Sequence, residues 1–425
     1  MFDTMRHLRF GSPHLASVLI FLAARLPAAE PATPPPAPPA TVDFQFRDGD
    51  RVVLLGNTLI ERAQRYGHLE TALVARLGGI RLSFRNLGWS GDTVLAESRG
   101  IFDTPAKGYQ RMLAHVARLK PTVLVLGYGS NESFTGTDGI RTFLKQYAQL
   151  ISDLKSKSAP GVRVAILSIP PQQRPGLRRL NTTVATTSKF TPPDLEFPVS
   201  RNRQIDQFNT ALAHFALTHD HAHLDINTPF QKPGDRFADS EFTVDGRALN
   251  STGYQVLTGG IMAQLFPTST LSVELKQGQS PRVSGPLAVA GAAYQRQHLT
   301  LSARTGGALV LRVHGLPRGR YSLHIDRDDY GDHTAGEFAA GIVPSFTRLP
   351  VGHAELRRAV IAKNRLYFHR WRPQNTTYLF GFRKHEQGNN AKEVAEFEKL
   401  VAAREAEISK LKTKVLHRIT ITPAN

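Results

Sequence analysis

Four short segments carry side chains of the kind that acyl-transfer chemistry uses: Gly56-Asn57-Thr58, Ser90-Gly91-Asp92-Thr93, Gly129-Ser130-Asn131 and Asp245-Gly246-Arg247-Ala248-Leu249-Asn250. Between them they offer a hydroxyl at Thr58, an amide at Asn131 and a carboxylate at Asp245. Cleaving an ester this way needs an activated hydroxyl, a base to take its proton, a carboxylate to orient the base, and donors for the oxyanion. The hydroxyl here is a threonine's, whose extra methyl restricts χ1 and crowds attack. Threonine nucleophiles work mainly where an amino group is the base, and Thr58 is internal to the chain. Asn57 and Thr58 suit equally the capping of a following helix. None of the four segments holds a histidine, and a threonine hydroxyl without a base stays un-ionised at neutral pH.

Other groups offer themselves as a substitute base or ligand. Glu61 lies about one turn beyond Thr58, Glu132 directly follows Asn131, and His385-Glu386 sits in a polar stretch from Phe382 to Asn390. That stretch also reads as an ordinary solvated loop. Position 389 is Asn, so His385-Glu386 lacks the second histidine of a zinc HExxH helix. His219, His221 and His223 alternate, and on an extended chain would share one face. They lead into a strand rather than out of it, away from where a parallel sheet places its site. We assign no metal and no cofactor.

The elements that must position these residues follow from hydrophobic periodicity. Val52–Leu55, Leu82–Leu87, Val123–Leu126, Val162–Ile169 and Ala222–Ile226 read as strands. Between them, helical spacing is carried by Ile60, Leu69, Leu73 and Leu77 as one helix, by Tyr109 to Val116, by Phe143, Tyr147, Leu150, Ile151 and Leu154, and by Ile205–Leu217. A last helix runs from Ser251 to Leu265. Strands alternating with crossover helices predict an α/β domain with a mostly parallel sheet covered on both faces. Thr58, Gly91 and Asn131 each fall just past a strand, where such sheets gather function.

The four segments, in order, resemble the four blocks of the SGNH/GDSL hydrolase superfamily, and Asn86-Leu87-Gly88-Trp89-Ser90-Gly91-Asp92-Thr93 is a close match to the second. The resemblance covers roughly Val42 to Phe266 and implies a flavodoxin-like three-layer α/β/α sandwich and an ancestry of ester hydrolysis. It further implies an oxyanion hole from the Thr58 amide, Gly91 and Asn131, with Asp245 as the orienting carboxylate. The departures are that the nucleophile position holds Thr58 instead of serine and the histidine position holds Ala248. The oxyanion parts survive and the base must come from outside the blocks. The expected function is ester hydrolysis, with acylated carbohydrate as a substrate class, using a non-standard catalytic set. The alternative is a catalytically inactive protein binding a glycan or other envelope ligand.

Arg6 and Arg9, the apolar run Leu15–Ala24 and the small residues Ala28 and Ala29 have the three-part pattern of an export signal, expected over residues 1–29. The run is too short to span a bilayer. The expected location is therefore periplasmic or extracellular. A proline-rich tether over 30–41 precedes the hydrolase-like domain, 42–266. A β-rich module is expected over 267–352, from Leu271–Leu275, Leu299–Ser302, Ala308–His314 and Arg320–Ile325. A basic helical segment over 353–425 should pack on the main domain, its stripe of Val394, Phe397, Val401, Ile408 and Leu411 fitting either that or a coiled-coil seam. Within it, the stretch Lys363–Asn375 resembles the C-terminal part of large SGNH-like proteins of environmental bacteria such as planctomycetes. Its Arg, Trp and Tyr suit either sugar binding or docking onto the domain.

The chain has no cysteine, which excludes disulfides and thiolate chemistry. Its net charge of +18 falls to 18 − 2 = +16 without residues 1–29, which hold three arginines and one aspartate. Such a surplus favours polyanion encounter, but no nucleic-acid motif accompanies it. The expected partner is a small-molecule or polysaccharide ester, with no specific nucleic acid and no stable membrane span; the oligomeric state is left open.

Overall fold

The computed structural model describes residues 44–173, 197–232, 240–266, 268–285, 289–304, 309–344 and 352–424. The expected signal and proline-rich tether lie outside these. The first half of the chain is built from β1 (Asp50–Gly56), α1 (Thr58–Tyr66), α2 (His68–Arg76), β2 (Leu82–Asn86), α3 (Pro105–Leu119), β3 (Val123–Gly127), α4 (Ile140–Lys157), β4 (Arg163–Leu167), α5 (Phe197–Thr218), β5 (Ala222–Leu224), α6 (Thr228–Gln231) and α7 (Ser251–Leu265). The five strands form one all-parallel sheet in the order β2-β1-β3-β4-β5. Every residue of β3 is buried, and β1 is buried but for Arg51. Central strands covered on both faces must be apolar throughout, which is why these read as unbroken runs. Two apolar cores result. Met112, Tyr147 and Phe208 belong to one, and Leu73, Leu257 and Ile261 to the other. This is the α/β/α sandwich that the block pattern implied.

The expected single helix from Ile60 to Leu77 is two. Gly67 closes α1 with a left-handed φ of 64° and donates its N–H to the Ala63 carbonyl as the C-cap bond. A Cβ there would meet Ile361 at 3.0 Å. The apolar stripe continues across the break because both helices pack on the same core, so periodicity alone hid it.

The second half comprises β6 (Ser269–Glu274), β7 (Arg282–Ser284), β8 (Val289–Gln295), β9 (His298–Ala303), β10 (Leu309–His314), β11 (Arg320–Ile325), β12 (Asp328–Thr334), α8 (Ala335–Ala340), α9 (His353–Trp371), α10 (Thr376–Leu379), α11 (Lys384–Gln387), α12 (Ala391–Leu411) and β13 (His417–Pro423). Sheets ordered β10-β6-β7 and β12-β11-β13-β9-β8 share a core with Leu271, Leu301, Leu311, Leu323 and Ile421. The stretch 353–425, expected to be helical, therefore ends in a strand. Ile419 and Ile421 alternate inward and β13 pairs with both β9 and β11, closing the sheet. Ahead of it, α9 and α12 pack together and against the parallel-sheet unit. Leu356, Val360 and Ile408 join one of its cores, and Tyr367, Trp371 and Val401 the other. The α12 stripe, but for the half-buried Phe397, is thus buried within this chain. Lys363, 1% exposed, anchors α9 by pairing with Glu70 at 2.7 Å and donating to the Phe84 carbonyl at 3.0 Å.

Candidate active site

At the end of β1, Asn57 rather than Thr58 caps α1, its Oδ1 accepting the Leu59 N–H at 3.1 Å. Thr58 is the first helical residue. Its Oγ1 is turned across to the second block, where it accepts the Gly91 N–H at 3.1 Å. Its own amide is one of the four that a helix start leaves without intrahelical partners, at the positive end of the helix dipole.

The second block is a tightly tied loop. Asn86 donates to the Ile60 carbonyl at 2.6 Å and accepts the Gly88 N–H at 2.8 Å. The Trp89 N–H donates to the Gly56 carbonyl at 2.9 Å, and the Ser90 N–H to Glu61 Oε2. Gly91 has φ 75°, which an L side chain adopts only with strain. The fully buried Asp92 pairs with buried Arg99 at 2.6 Å. Burial pushes the Asp92 carboxyl up while Arg99 opposes it.

Asn131 brings the third block onto this loop. Its Nδ2 donates to the carbonyls of Gly91 at 2.8 Å and Asp92 at 3.1 Å. Glu132 accepts the Val94 N–H at 2.9 Å and the Gly129 N–H at 3.0 Å, so each carboxylate oxygen holds one loop. Burial raises its pKa against these bonds. A residue that sequence reasoning missed completes the tie. Arg201 of α5, 2% exposed, donates to the Ser130 carbonyl at 2.9 Å, the Ser133 carbonyl at 2.7 Å and Ser133 Oγ at 2.6 Å. Burial first, then Arg247, lowers its pKa to about 10. No signal in its own segment marks it, because its partners lie about seventy residues away.

In the fourth block Asp245 bonds its own turn, Oδ1 accepting the amides of Arg247 at 2.9 Å and Ala248 at 2.7 Å. The block is joined to the first by Tyr254, whose hydroxyl donates to the Leu59 carbonyl at 2.6 Å. It is joined to the third by Arg247, whose Cζ lies 5.6 Å from the Phe134 ring centre.

The structure thus brings Thr58, Gly91 and Asn131 together, with Glu61 and Glu132 behind them as loop fasteners. Among the described residues it brings no base to the Thr58 hydroxyl. All histidines but His7 and His14 lie in the described residues, and none of those hydrogen-bonds the Thr58 hydroxyl, whose partner among the described residues is Gly91. His385 is exposed, with Nε2 3.7 Å from Glu386, and Glu386 is taken by Arg383. Among the described residues no group of three or more His, Cys, Asp or Glu could hold a metal. His219 lies against Phe215, centroids 4.1 Å apart, and His221 is buried. The Lys363–Asn375 stretch docks: Lys363, Asn364, Tyr367 and Trp371 are buried, and Arg372 stacks on Trp89 of the second block.

Chemically, donors that could face an oxyanion are present but partly turned inward. The Gly91 amide is given to Thr58 and the Asn131 amide to two carbonyls, while the Thr58 amide has no partner among the described residues.

The chain belongs to the GDSL-like lipase/acylhydrolase family, whose model matches residues 22–256, more than half of it. Comparison with curated proteins finds no match. Among solved structures, a gut microbial diltiazem-metabolizing enzyme is similar over 90% of this chain and 100% of its own, at 14% identity and a TM-score of 0.51. At this identity the likeness is one of fold. Two others cover about half of the chain. An alpha/beta hydrolase enzyme from the metagenome of Lake Arreo, Spain, matches over 52% of this chain and 96% of its own, at 19% identity and a TM-score of 0.36. A catalytic mutant of an acetylxylan esterase from Geobacillus stearothermophilus matches over 52% and 97%, at 13% identity and a TM-score of 0.36. Among the described residues no helix is long and apolar enough to cross a membrane.

Proposed function

We propose that this protein is an exported hydrolase of acyl esters, carbohydrate esters among them, working with only the oxyanion half of the family's machinery. It binds an ester carbonyl at Thr58, Gly91 and Asn131 and hydrolyses it slowly, without a covalent Thr58 intermediate. The observation that carries this reading is the 3.1 Å contact from the Gly91 amide to Thr58 Oγ1, which sets the nucleophile slot beside an oxyanion donor, with no base bonded to its hydroxyl among the described residues. Loss of a triad member elsewhere leaves roughly 10³–10⁴-fold catalysis over water from oxyanion hole and binding alone, which is the rate expected here. The export part rests on the amino-terminal pattern, and the carbohydrate part on the substrates common among exported members of the resembled superfamily.

The test is hydrolysis of p-nitrophenyl acetate and acetylated xylooligosaccharide by the wild type, Thr58→Ala and Asn131→Ala. Slow turnover should survive Thr58→Ala nearly unchanged and fall in Asn131→Ala. Turnover that vanishes in Thr58→Ala would make Thr58 the nucleophile and overturn the reading. A second reading, glycan binding without turnover, is favoured by one observation: the Asn131 Nδ2 already donates to the backbone carbonyls of Gly91 and Asp92. Saturable binding of acetylated xylooligosaccharide with no acetate release would establish it instead.

A further inference from the structure

The second block is held from a distant part of the chain. Arg372, directly after α9, lays its guanidinium over the Trp89 ring with Cζ 3.4 Å from the ring centre. Its Nη1 lies 3.3 Å from Glu61 Oε2. That same oxygen accepts the Ser90 N–H. One guanidinium therefore touches the ring of Trp89 and the carboxylate that fixes Ser90, the two residues ahead of Gly91. Glu61 is only 8% exposed, and its Oε2 is held between the guanidinium and the Ser90 amide.

We propose that Arg372 is a positioning residue for the oxyanion loop, holding Trp89-Ser90-Gly91 so that the Gly91 amide stays at the Thr58 hydroxyl. The stack fixes the plane of Trp89, and the guanidinium holds the Glu61 carboxylate turned toward the Ser90 amide. Without Arg372, Glu61 is free to swing toward water, Ser90 loses its acceptor, and Gly91 loses its anchor on that side. The C-terminal segment is in this way part of the site and not only a cover for the sheet.

The bland alternative is that Arg372 merely glues the C-terminal helices down. Those helices have their own anchors, Lys363 with Glu70 at 2.7 Å and Arg85 with Glu405 at 2.5 Å. Removing Arg372 should therefore free the loop and leave the helices docked.

The chain offers a direct reporter, because its two tryptophans are Trp89 and Trp371, ring centres 6.0 Å apart. In full-length Trp371→Phe protein, Trp89 is the sole emitter. Adding Arg372→Gln should shift its emission to the red and raise its acrylamide quenching. Glu61→Gln should do the same, and the Arg372→Gln/Glu61→Gln pair no more than either alone. Arg372→Lys, which keeps the charge but loses the flat stack, should restore loop protection only in part. Hydrogen exchange of residues 88–92 should rise in Arg372→Gln while that of α9 and α12 stays unchanged. Unchanged Trp89 emission and exchange in Arg372→Gln overturns the proposal. So does exchange that rises equally in α9 and α12, which would make Arg372 glue; Arg372→Lys carries the same comparison if Arg372→Gln fails to fold. The catalytic consequence rests on the proposed hydrolase reading. Ester turnover should drop about tenfold in kcat with KM little changed, since misplacing a site by about 1 Å can cost up to roughly 100-fold. If the wild type shows no turnover, that reading fails by itself, and fluorescence and exchange still decide the role of Arg372.

Discussion

Putting a histidine back at position 248 is the sharpest test of what the site lacks. The fourth-block turn is already set for it. Asp245 Oδ1 is occupied by the amides of Arg247 and Ala248, while Oδ2 has no hydrogen-bond partner among the described residues. The Ala248 carbonyl accepts the Val244 N–H at 2.8 Å, so the direction of its Cβ is fixed. An imidazole there is expected to give its Nδ1–H to Asp245 Oδ2 and to reach the first block, with which the fourth is tied through Tyr254. Thr58→Ser removes the methyl that crowds attack. In serine hydrolases loss of the serine or histidine costs about 10⁶ in kcat. A rebuilt pair lacking evolved support should recover a fraction, about 10²-fold over the wild type, equivalent to roughly 2.7 kcal/mol of barrier. The Ala248→His/Thr58→Ser protein is assayed on p-nitrophenyl acetate across pH, beside Ala248→His/Thr58→Ala. Its gain should rise through an imidazole titration near 6.5, as a general base must be neutral to act. A folded double variant with no gain refutes the claim that the missing base is the only broken catalytic part beyond Thr58. An equal gain in the alanine control refutes the role given to the hydroxyl.

Two further outcomes follow from buried groups away from the chemistry. Arg201→Met removes the donors that hold the Ser130 and Ser133 carbonyls, leaving buried acceptors unpaired, and should cost roughly 3 kcal/mol in urea unfolding; a loss below about 1 kcal/mol would show that the third block does not depend on it. His68 of α2 and His353 of α9, each 5% exposed, are lowered to about 4, by burial first and then by the nearby Arg357. Above pH about 6.5 both are neutral folded or unfolded. As pH falls toward 4 the unfolded chain takes up protons that the folded one refuses, so stability drops, and the loss levels off below about 4. The maximum is about 3 kcal/mol for each histidine, seen as a urea midpoint lower at pH 5 than at pH 7 and a smaller difference in His68→Asn.

The parallel-sheet half was legible because its signals are local. The apolar runs of β1 and β3, the Phe143-to-Leu154 stripe of α4 and the four glycine- and asparagine-bearing loops are each written within about fifteen residues. The β-rich half was legible only where strands are apolar. The runs of β6, β9, β10 and β11 stood out, whereas β8 (Val289–Gln295) and β12 (Asp328–Thr334) are largely exposed and polar or small, and carry no stripe. In β13, Ile419 and Ile421 do alternate, but after a long helical stripe the end of the chain read as its continuation. Fasteners were the least visible part of the site. Glu61 and Arg372 are 311 residues apart, and Arg201 meets Ser133 across 68. Nothing local in either segment announces a partner so far off.

Each surviving block residue also holds the fold, and this bears on how strongly any ligand is bound. Gly91 gives its amide to Thr58, Asn131 Nδ2 donates to two carbonyls of the second block, and Glu132 ties the second and third blocks together. Ala248, by contrast, replaces an imidazole without leaving a gap in the bonding, because Asp245 has its own turn to accept from. A carbonyl that uses the Gly91 and Asn131 donors must therefore displace internal bonds, at about 1 kcal/mol for each. Opening two to three of them costs about 2–3 kcal/mol, a weakening of roughly 30- to 150-fold in affinity. A bare acetate ester has little surface with which to offset that. A ligand that occupies this site must draw its binding from groups remote from the carbonyl, as an extended oligosaccharide can. Affinity for acetylated xylooligosaccharide should therefore climb with chain length while the ester stays the same, and affinity independent of length would mean that the carbonyl donors are not the internal ones seen here.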